Sequence, residues 1–573
     1  MFNSFTNKMS ERTSSIFINS LLYVDENTSI GVNGSDVYTA KGLGDNLLSL
    51  YNTLNGFVTN ENIKLNTKLA ISDKSKTNIT ELFVLLFQTR DIKNGKGLRT
   101  LSYDLFFELY DNVNSKICLE LLHLFPFYGY YKDLVNIYNI CNDSKKDSYK
   151  PIKNKILYIF SDQIKSDMKN MISDPKNVSL LSKWLPRESS NINKILYKDL
   201  VKFLVSINYI NTNSNPKKEY RKIISILNKH IDTVEIKMCS NNWQHIDPSH
   251  IPGICLNKFR KAFLNEKIDS SEQRYNRLDR IKCSDNLKLL MKNKPNKLNG
   301  SHTILPHVLV NKMRKILYNK NNDSEVLLLN SQWNNIKNSF KNSFLKKCIP
   351  MCDLSGSMKT ILSDKSNCCL MDISIALSIL VSELNEKSFK DIILSFSETC
   401  KIINLSNKNN LSDKINHIFN DMSNIGLNTN FESAYNKILD TLVLNKVPVG
   451  EEPEMLIVFT DMGFDSCDKK SKNFSTVCET LKEKFNSKCI EVHGSIEKSW
   501  KLPKIVIWNL SSFNEFQSKS NNTDIVTISG WSKNNIELLN EEEFMLYDSS
   551  QILKKILSHD RYNIIREIVE KTI

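Results

Sequence analysis

Cys348-Ile349-Pro350-Met351-Cys352-Asp353-Leu354-Ser355-Gly356-Ser357 is the stretch on which the fold of this chain turns. An apolar run leads directly into a turn of short oxygen-bearing side chains, as when a buried strand delivers its last residues to a sheet edge. Pro350 is awkward in a central strand because it removes a ladder donor, which places it at a strand start or a bulge. Two later segments repeat the juxtaposition. Thr429 lies in Gly426-Leu427-Asn428-Thr429-Asn430, just before the helical-looking residues 431–439, and Asp461 follows the strand-like Met455-Leu456-Ile457-Val458-Phe459 and Thr460. Hydroxyls with one or two carboxylates suit a hard cation, Mg²⁺ or Mn²⁺, and make a weak, open site because Mg²⁺ gives up its water reluctantly. Ser, Thr and Asp also cap helices and make turns. The recurrence of three segments in order, each beside a regular element, is what favours the cation. Asp353 is expected on a solvent-facing loop.

Other chemistries for the same turn fail on particular residues. A nucleophile elbow needs glycines two positions either side of its serine, and Ser355 has Asp353 and Ser357 there. An aspartyl-phosphate hydrolase would want a second carboxylate two residues after the first, where position 355 offers a hydroxyl. No paired general acid and base or Ser/His/Asp arrangement emerges elsewhere. The expectation is a protein that is not an enzyme, with no catalytic residues.

Around this stretch the periodicity changes. Before it the chain reads as helix after helix: Glu81 to Arg90, Leu98 to Tyr110, Cys118 to Phe125, Lys132 to Ile140, Ile152 to Met171, Tyr197 to Ile207, Lys217 to His230 and Val308 to Tyr318. Strand alternation is nearly absent there, and no fixed-period repeat is found, so a solenoid is suggested by helix pairing alone. Asn94-Gly95-Lys96-Gly97 breaks the pattern as a loop; it lacks the Gly-x-x-x-x-Gly-Lys-Ser/Thr spacing and the preceding strand of a phosphate-binding P-loop. After it, short apolar strands at Cys348–Met351, Ile392–Phe396, Met455–Phe459, Ile505–Trp508 and Ile525–Ile528 alternate with helices, one of which carries Leu370, Ile373, Leu377, Leu380, Val381 and Leu384 on one face. That alternation implies a mostly parallel sheet covered on both sides, with ligands beyond the strand ends at a switch in strand order. The fold class is therefore α plus α/β: an all-α, helical-repeat-like module over residues 1–340, followed by a doubly wound α/β domain over residues 341–573.

With 573 residues, the chain is too long for one ordinary core. Its 40% hydrophobic and 24% charged content is that of a soluble globular protein, and no apolar run reaches membrane-spanning length. The first twenty residues lack the order of a signal peptide. The 13 cysteines, an odd number without a Cys-x-x-Cys pair, read as free thiols in a reducing compartment, and the 9 histidines are too dispersed for zinc. The expected location is the cytoplasm, with no membrane partner. The net charge of +14 divides unevenly: residues 1–350 carry +20, with +13 in residues 251–350 alone, while residues 351–573 carry −6. A positive field attracts polyanions by counterion release, RNA being the candidate, although lysine-rich runs are also simply solvated faces.

The order Asp-x-Ser-x-Ser, Thr, Asp resembles the metal-ion-dependent adhesion site of von Willebrand factor A domains. That resemblance implies direct ligation by Ser355, Ser357 and Thr429, direct or water-mediated ligation by Asp353 and Asp461, and an open position for a partner's acidic group. Over nearly the whole chain, Arg90-Asp91-Ile92-Lys93-Asn94-Gly95-Lys96-Gly97, Tyr128-Gly129-Tyr130-Tyr131-Lys132-Asp133-Leu134, Lys183-Trp184-Leu185-Pro186-Arg187-Glu188 and Cys352-Asp353-Leu354-Ser355-Gly356-Ser357-Met358 resemble the uncharacterised DUF2828 family. The chain departs from it at Tyr130-Tyr131, where that family often has a basic residue and Trp. A helical module followed by an A domain is also similar in layout to the Ro (TROVE) proteins, which implies a HEAT-like helical ring with RNA on its basic surface.

Two functions follow as expectations. The first is a ribonucleoprotein scaffold whose basic helices contact RNA through Lys93, Lys96, Arg99, Lys132, Arg187, Lys217, Lys218, Arg221, Lys222, Arg274, Arg277 and Arg280, while the metal recruits a protein. The second is a protein-protein adaptor without nucleic acid, in which the metal binds a partner carboxylate.

Overall fold

The computed structural model describes residues 27–573 apart from 31–35, 57–59, 73–75, 212–214, 269, 299–303, 319–322, 341–344, 364–367, 397–399, 423–430, 463–473, 495–498 and 513–515. Up to residue 340 it is built of helices, the longer ones at Lys76–Arg90, Arg99–Asn112, Tyr131–Ser144, Lys150–Ser173, Lys194–Ser206, Pro216–Ile231, Leu278–Asn293, Pro306–Tyr318 and Asp323–Asn338. Their ends follow local chemistry. In Pro216–Ile231 the Asn215 side chain accepts from the backbone N–H groups of Lys217 and Lys218, Pro216 takes the first position, and Asp232 ends the helix in the left-handed region at φ 38°. Tyr220, Ile224 and Leu227 form its buried stripe. Among the described residues before 345 the strands are β1 (Thr28–Ile30) and β2 (Asp36–Tyr38), an antiparallel pair. Three residues each are too few for alternation to announce them.

The second half holds β3 (Cys348–Asp353), β4 (Ile361–Ser363), β5 (Cys368–Cys369), β6 (Ile392–Phe396), β7 (Ile402–Asn404), β8 (Met455–Thr460), β9 (Lys504–Asn509) and β10 (Ile525–Ser529). Six of them form one sheet in the order β10-β9-β8-β3-β6-β7, parallel throughout except for β7 at the edge; β4 and β5 pair separately. Pro350 lies within central β3, opposite Ile457 of β8, and pairing with β6 begins only at Met351. Its missing N–H is therefore not needed on the β6 side. The helix Leu370–Leu384 is buried at every position, because β3 covers one side and the helix Pro306–Tyr318 the other. Its apolar residues thus serve two interfaces, more than the single face read from the sequence. Across the sheet, Tyr435 and Phe485 pack with Leu456 and Ile505.

One hydrophobic cluster runs from Leu86 and Phe87 through Ile373 and Ile528 to Ile565. The two halves also exchange segments. Near the start of the chain, Tyr51 donates its hydroxyl to the Ser529 carbonyl at 2.9 Å, and Asn55 Nδ2 donates to the carbonyls of Asn509 at 2.8 Å and Ser511 at 3.1 Å. In return, the last helix, Asn563–Thr572, packs on Lys76–Arg90, with Arg566 paired to Glu81 at 2.9 Å and Arg561 to Asp91 at 2.8 Å.

Candidate metal centre

From β3 the chain passes to β6 on one side and later returns to β8 on the other, so the order of the sheet reverses between β3 and β8. Clefts at such a switch point are where doubly wound sheets bind ligands. Asp353 is the last residue of β3, and Thr460 and Asp461 stand at the end of β8. Asp353 Oδ1 accepts the backbone N–H of Ser355 at 2.9 Å, which folds the turn back over the strand end. Its Oδ2 accepts the Thr460 hydroxyl at 2.7 Å. Thr460 Oγ1 in turn accepts the N–H of Met462 at 3.2 Å, bracing a residue held at φ 73°. Ser355 and Ser357 lie with their hydroxyl oxygens 3.0 Å apart. Ser511 donates to the carbonyl of Asp461 at 3.1 Å.

Asp353 is fully buried, Ser355 and Asp461 are buried, and Ser357 is exposed. The expected solvent-facing loop is thus corrected for Asp353: its carboxylate sits inside, at the junction of two central strands. Burial, and then the charge of Asp461, push the Asp353 carboxyl up to about 7, against the lowering hydrogen bonds of Ser355 and Thr460. Two buried carboxylates in one another's field destabilise the charged state unless a proton or a cation joins them. The donor set contains oxygen only, which matches Mg²⁺ or Mn²⁺ rather than zinc. Among the described residues no group of three or more His, Cys, Asp or Glu side chains is placed to hold a metal ion. Thr429 lies outside the described residues. Thr460 was missed by the sequence reading, although its place immediately before Asp461 at a strand end was the available signal.

Residues 138–343 match the domain of unknown function DUF2828, and residues 347–564 match another, DUF7788. Each of the two matches spans less than half of this chain. The chain is 28% identical over 481 residues to an uncharacterised protein of Acanthamoeba polyphaga mimivirus, covering 80% of this chain and 76% of that one. The crystal structure of the Deinococcus radiodurans Ro (RSR) protein aligns over 84% of this chain and 90% of that one, at 11% identity and a TM-score of 0.29, too loose a likeness to carry an argument.

All the described metal candidates fall in the DUF7788 segment. Within the DUF2828 segment, Arg187 and Arg221 line an open cleft of about 800 Å³ floored by Tyr220 and Ile224, and exposed Lys217, Lys218 and Lys222 share the helix of Arg221. Glu188 takes up part of this charge, pairing with Lys217 at 3.0 Å and Arg221 at 3.9 Å, and Lys222 pairs with Glu219 at 3.0 Å. Arg274 and Arg277 are exposed, the latter paired with Asp279 at 2.9 Å. Arg280 is corrected: it is buried, its guanidinium 3.7 Å from the centre of the Trp243 ring and donating to the Ala262 carbonyl at 2.7 Å. Ahead of the DUF2828 segment, Lys93 is exposed, and Lys132 is half-buried with its ammonium over Trp184. Half-buried Arg99 reaches Asp133 at 3.3 Å. Lys96 is also corrected, since it is 1% exposed and donates to the carbonyls of Tyr51 and Leu54. An ammonium so enclosed cannot meet a phosphate backbone. Spacing and loop character could not reveal either burial, because both depend on partners distant in sequence.

Proposed function

We propose that this protein is a non-enzymatic ribonucleoprotein scaffold of the cytoplasm, whose basic helices hold RNA and whose α/β unit, read as a von Willebrand factor A-like domain, recruits a protein through Mg²⁺ or Mn²⁺. The observation that carries the metal half is the buried Asp353 at the switch point, facing the charge of Asp461 and held by hydroxyl and backbone N–H groups. The cation neutralises the pair, Ser355, Ser357 and Thr429 complete its oxygen shell, and the remaining position accepts a carboxylate from the partner. RNA binding is supported by the +20 charge of residues 1–350 and by the exposed Arg187, Lys217, Lys218, Arg221 and Lys222 gathered near one cleft.

Calorimetric titration of the full chain with Mg²⁺ and Mn²⁺ tests the first half: Asp353→Asn keeps the shape of the side chain and should abolish the binding seen in the wild type. Equal affinity in both proteins would refute the metal assignment. The second reading, an adaptor without RNA, is favoured by the ion pairs of Glu188 and Glu219, which offset part of the positive charge. Binding to a carboxylate-bearing protein with no affinity for RNA at low salt would decide for it. Among the described residues no helix is long and apolar enough to cross a membrane.

A further inference from the structure

The loop Asn94-Gly95-Lys96-Gly97, which fails as a P-loop, borders a cavity of about 180 Å³ between the helical half and the segment after β10. Arg90, Lys96, Arg99 and Lys533 line it, and among the described residues no Asp or Glu does. The one carboxylate beneath, Asp133, is already shared: Arg90 binds it at 2.7 Å and Arg99 at 3.3 Å, while the Tyr103 hydroxyl and the Tyr130 N–H add bonds of 2.6 and 2.7 Å. The Arg99 side chain is 41% exposed, but its Nε atom is buried and, although 3.3 Å from Asp133 Oδ1, has no hydrogen-bond partner among the described residues. Lys533 is only 5% exposed; its ammonium donates to Ser339 Oγ at 3.0 Å and lies over the Phe340 ring. Burial pushes its pKa down to about 8.

Arg90 and Arg99 share one carboxylate, and among the described residues Lys533 meets only a hydroxyl and a ring, so the lining carries more positive charge than Asp133 offsets, and a bound anion would balance it. The backbone points the same way. The helix Arg99–Asn112 starts at this cavity with no side-chain cap on Leu98 and no acidic residue in its first turn, so its positive dipole end faces the same space. A neighbouring cavity of about 500 Å³ also contains Lys533, with its contacts Ser339 and Phe340, but there Glu537, Glu541 and Asp560 offset the charge of Lys93, Lys533 and Lys555. The smaller one, at about 180 Å³, has room for one tetrahedral oxyanion.

We propose that the cavity between Arg90, Arg99, Lys533 and the start of the helix Arg99–Asn112 is a binding site for a single phosphate-class oxyanion, free or as the end group of a small phosphomonoester. The ligand ties the helical half to the α/β half, since Arg90 and Arg99 belong to one and Lys533 to the other. The site is separate from the metal centre and stands whether or not that centre is loaded.

The test is thermal unfolding of the full chain in EDTA, with orthophosphate or glycerol phosphate titrated against chloride at constant ionic strength. Ligand binding to the folded state raises Tm with concentration. The wild type should show a saturable rise; Arg99→Gln and Lys533→Gln should each need at least tenfold more phosphate for it; Lys116→Gln, an exposed lysine elsewhere, should behave as wild type. A rise with glycerol phosphate at lower concentration than with orthophosphate identifies the monoester as the ligand, and the reverse identifies the free ion. No saturable rise in the wild type overturns the proposal. So does an undiminished rise in both Arg99→Gln and Lys533→Gln, which would assign the effect to general salt.

Discussion

Asp133 and Asp353 are both completely buried carboxylates, and their surroundings differ in one respect. Asp133 faces two guanidinium groups, a tyrosine hydroxyl and a backbone N–H. Asp353 has a threonine hydroxyl and a backbone N–H, with a second carboxylate, Asp461, raising its pKa. Among the described residues no Lys, Arg or His pairs with Asp353. The partners of Asp133 are complete, and it joins helices: even Gly129 is forced by this arrangement, since a Cβ there would lie 2.5 Å from the Arg90 guanidinium. Asp353 has no such compensation among the described residues, which is what makes it the candidate for a cation from outside. Equal burial with unequal charge balance separates a carboxylate answered within the protein from one that is a candidate ligand.

Removing one partner from the complete cluster should have the largest effect of any change considered. Asp133→Ala strands Arg90, which is only 1% exposed, and should cost about 3–5 kcal/mol, the range for breaking a buried pair. Denaturant unfolding of the full chain measures it. A loss below ~1 kcal/mol would mean that water reaches Arg90 and that the contrast with Asp353 is false.

Asp353→Asn should act in the opposite sense. In EDTA at neutral pH it removes a repulsion, so the variant should unfold at a denaturant concentration equal to or above that of the wild type, while Mg²⁺, expected to raise the wild-type midpoint by binding the folded form, should leave that of the variant unchanged. Destabilisation in EDTA by as much as Asp133→Ala would show that the Asp353 charge is structurally compensated after all.

The sequence made the α/β half easier to read than its chemistry. Strands such as Met455–Thr460 and Ile525–Ser529 are short, apolar and buried on both faces, so an uninterrupted apolar run between polar turns located them within about a residue. Asp353, Ser355, Ser357 and Asp461 followed because strand ends are fixed once strands are. Burial was harder. Lys96 looked like a loop lysine because the Tyr51 and Leu54 carbonyls that enclose it lie more than forty residues away. Arg280 looked like part of a basic run because nothing local shows Trp243 beneath it. Edge strand β7 was invisible for a related reason: its pattern is one buried residue between two exposed ones, which three residues cannot distinguish from a loop.

The pH response sharpens the contrast at Asp353. Its folded-state pKa lies above the usual carboxylate value, so the folded protein holds a proton that the unfolded chain has released. The contribution to stability is therefore full below the ordinary carboxylate range and is lost as pH rises through about 7. Thermal unfolding in EDTA between pH 5 and 8 should show Tm in Asp353→Asn falling less than in wild type, and saturating Mg²⁺ should bring the wild-type profile towards that of the variant. Identical slopes in EDTA would place the titration elsewhere.

The smallest effect, and the one that bears on RNA, extends the same distinction to cations that are committed inside the protein and cations that remain at its surface. Arg280 belongs with Asp133: stacked on Trp243 and bonded to the Ala262 carbonyl, it has little left for a phosphate, so Arg280→Gln should lower stability and leave the salt dependence of RNA binding unchanged. Arg274 and Arg277 are exposed, and the Arg277–Asp279 pair is a surface bridge worth ~1 kcal/mol at most, which a phosphate can displace. If each contacts one phosphate of a single strand, its replacement by Gln should flatten the plot of log affinity against log salt by about 0.7. The measurement belongs in the full chain, because the exchanged segments around Tyr51 and Arg566 make separated halves poor substitutes. Filter binding of single-stranded RNA at several salt concentrations reads the slope directly. An unchanged slope in the Arg274→Gln, Arg277→Gln double variant removes this surface from the interface and leaves the cleft of Arg187 and Arg221 to carry RNA; no RNA binding by the wild type at low salt leaves the adaptor reading.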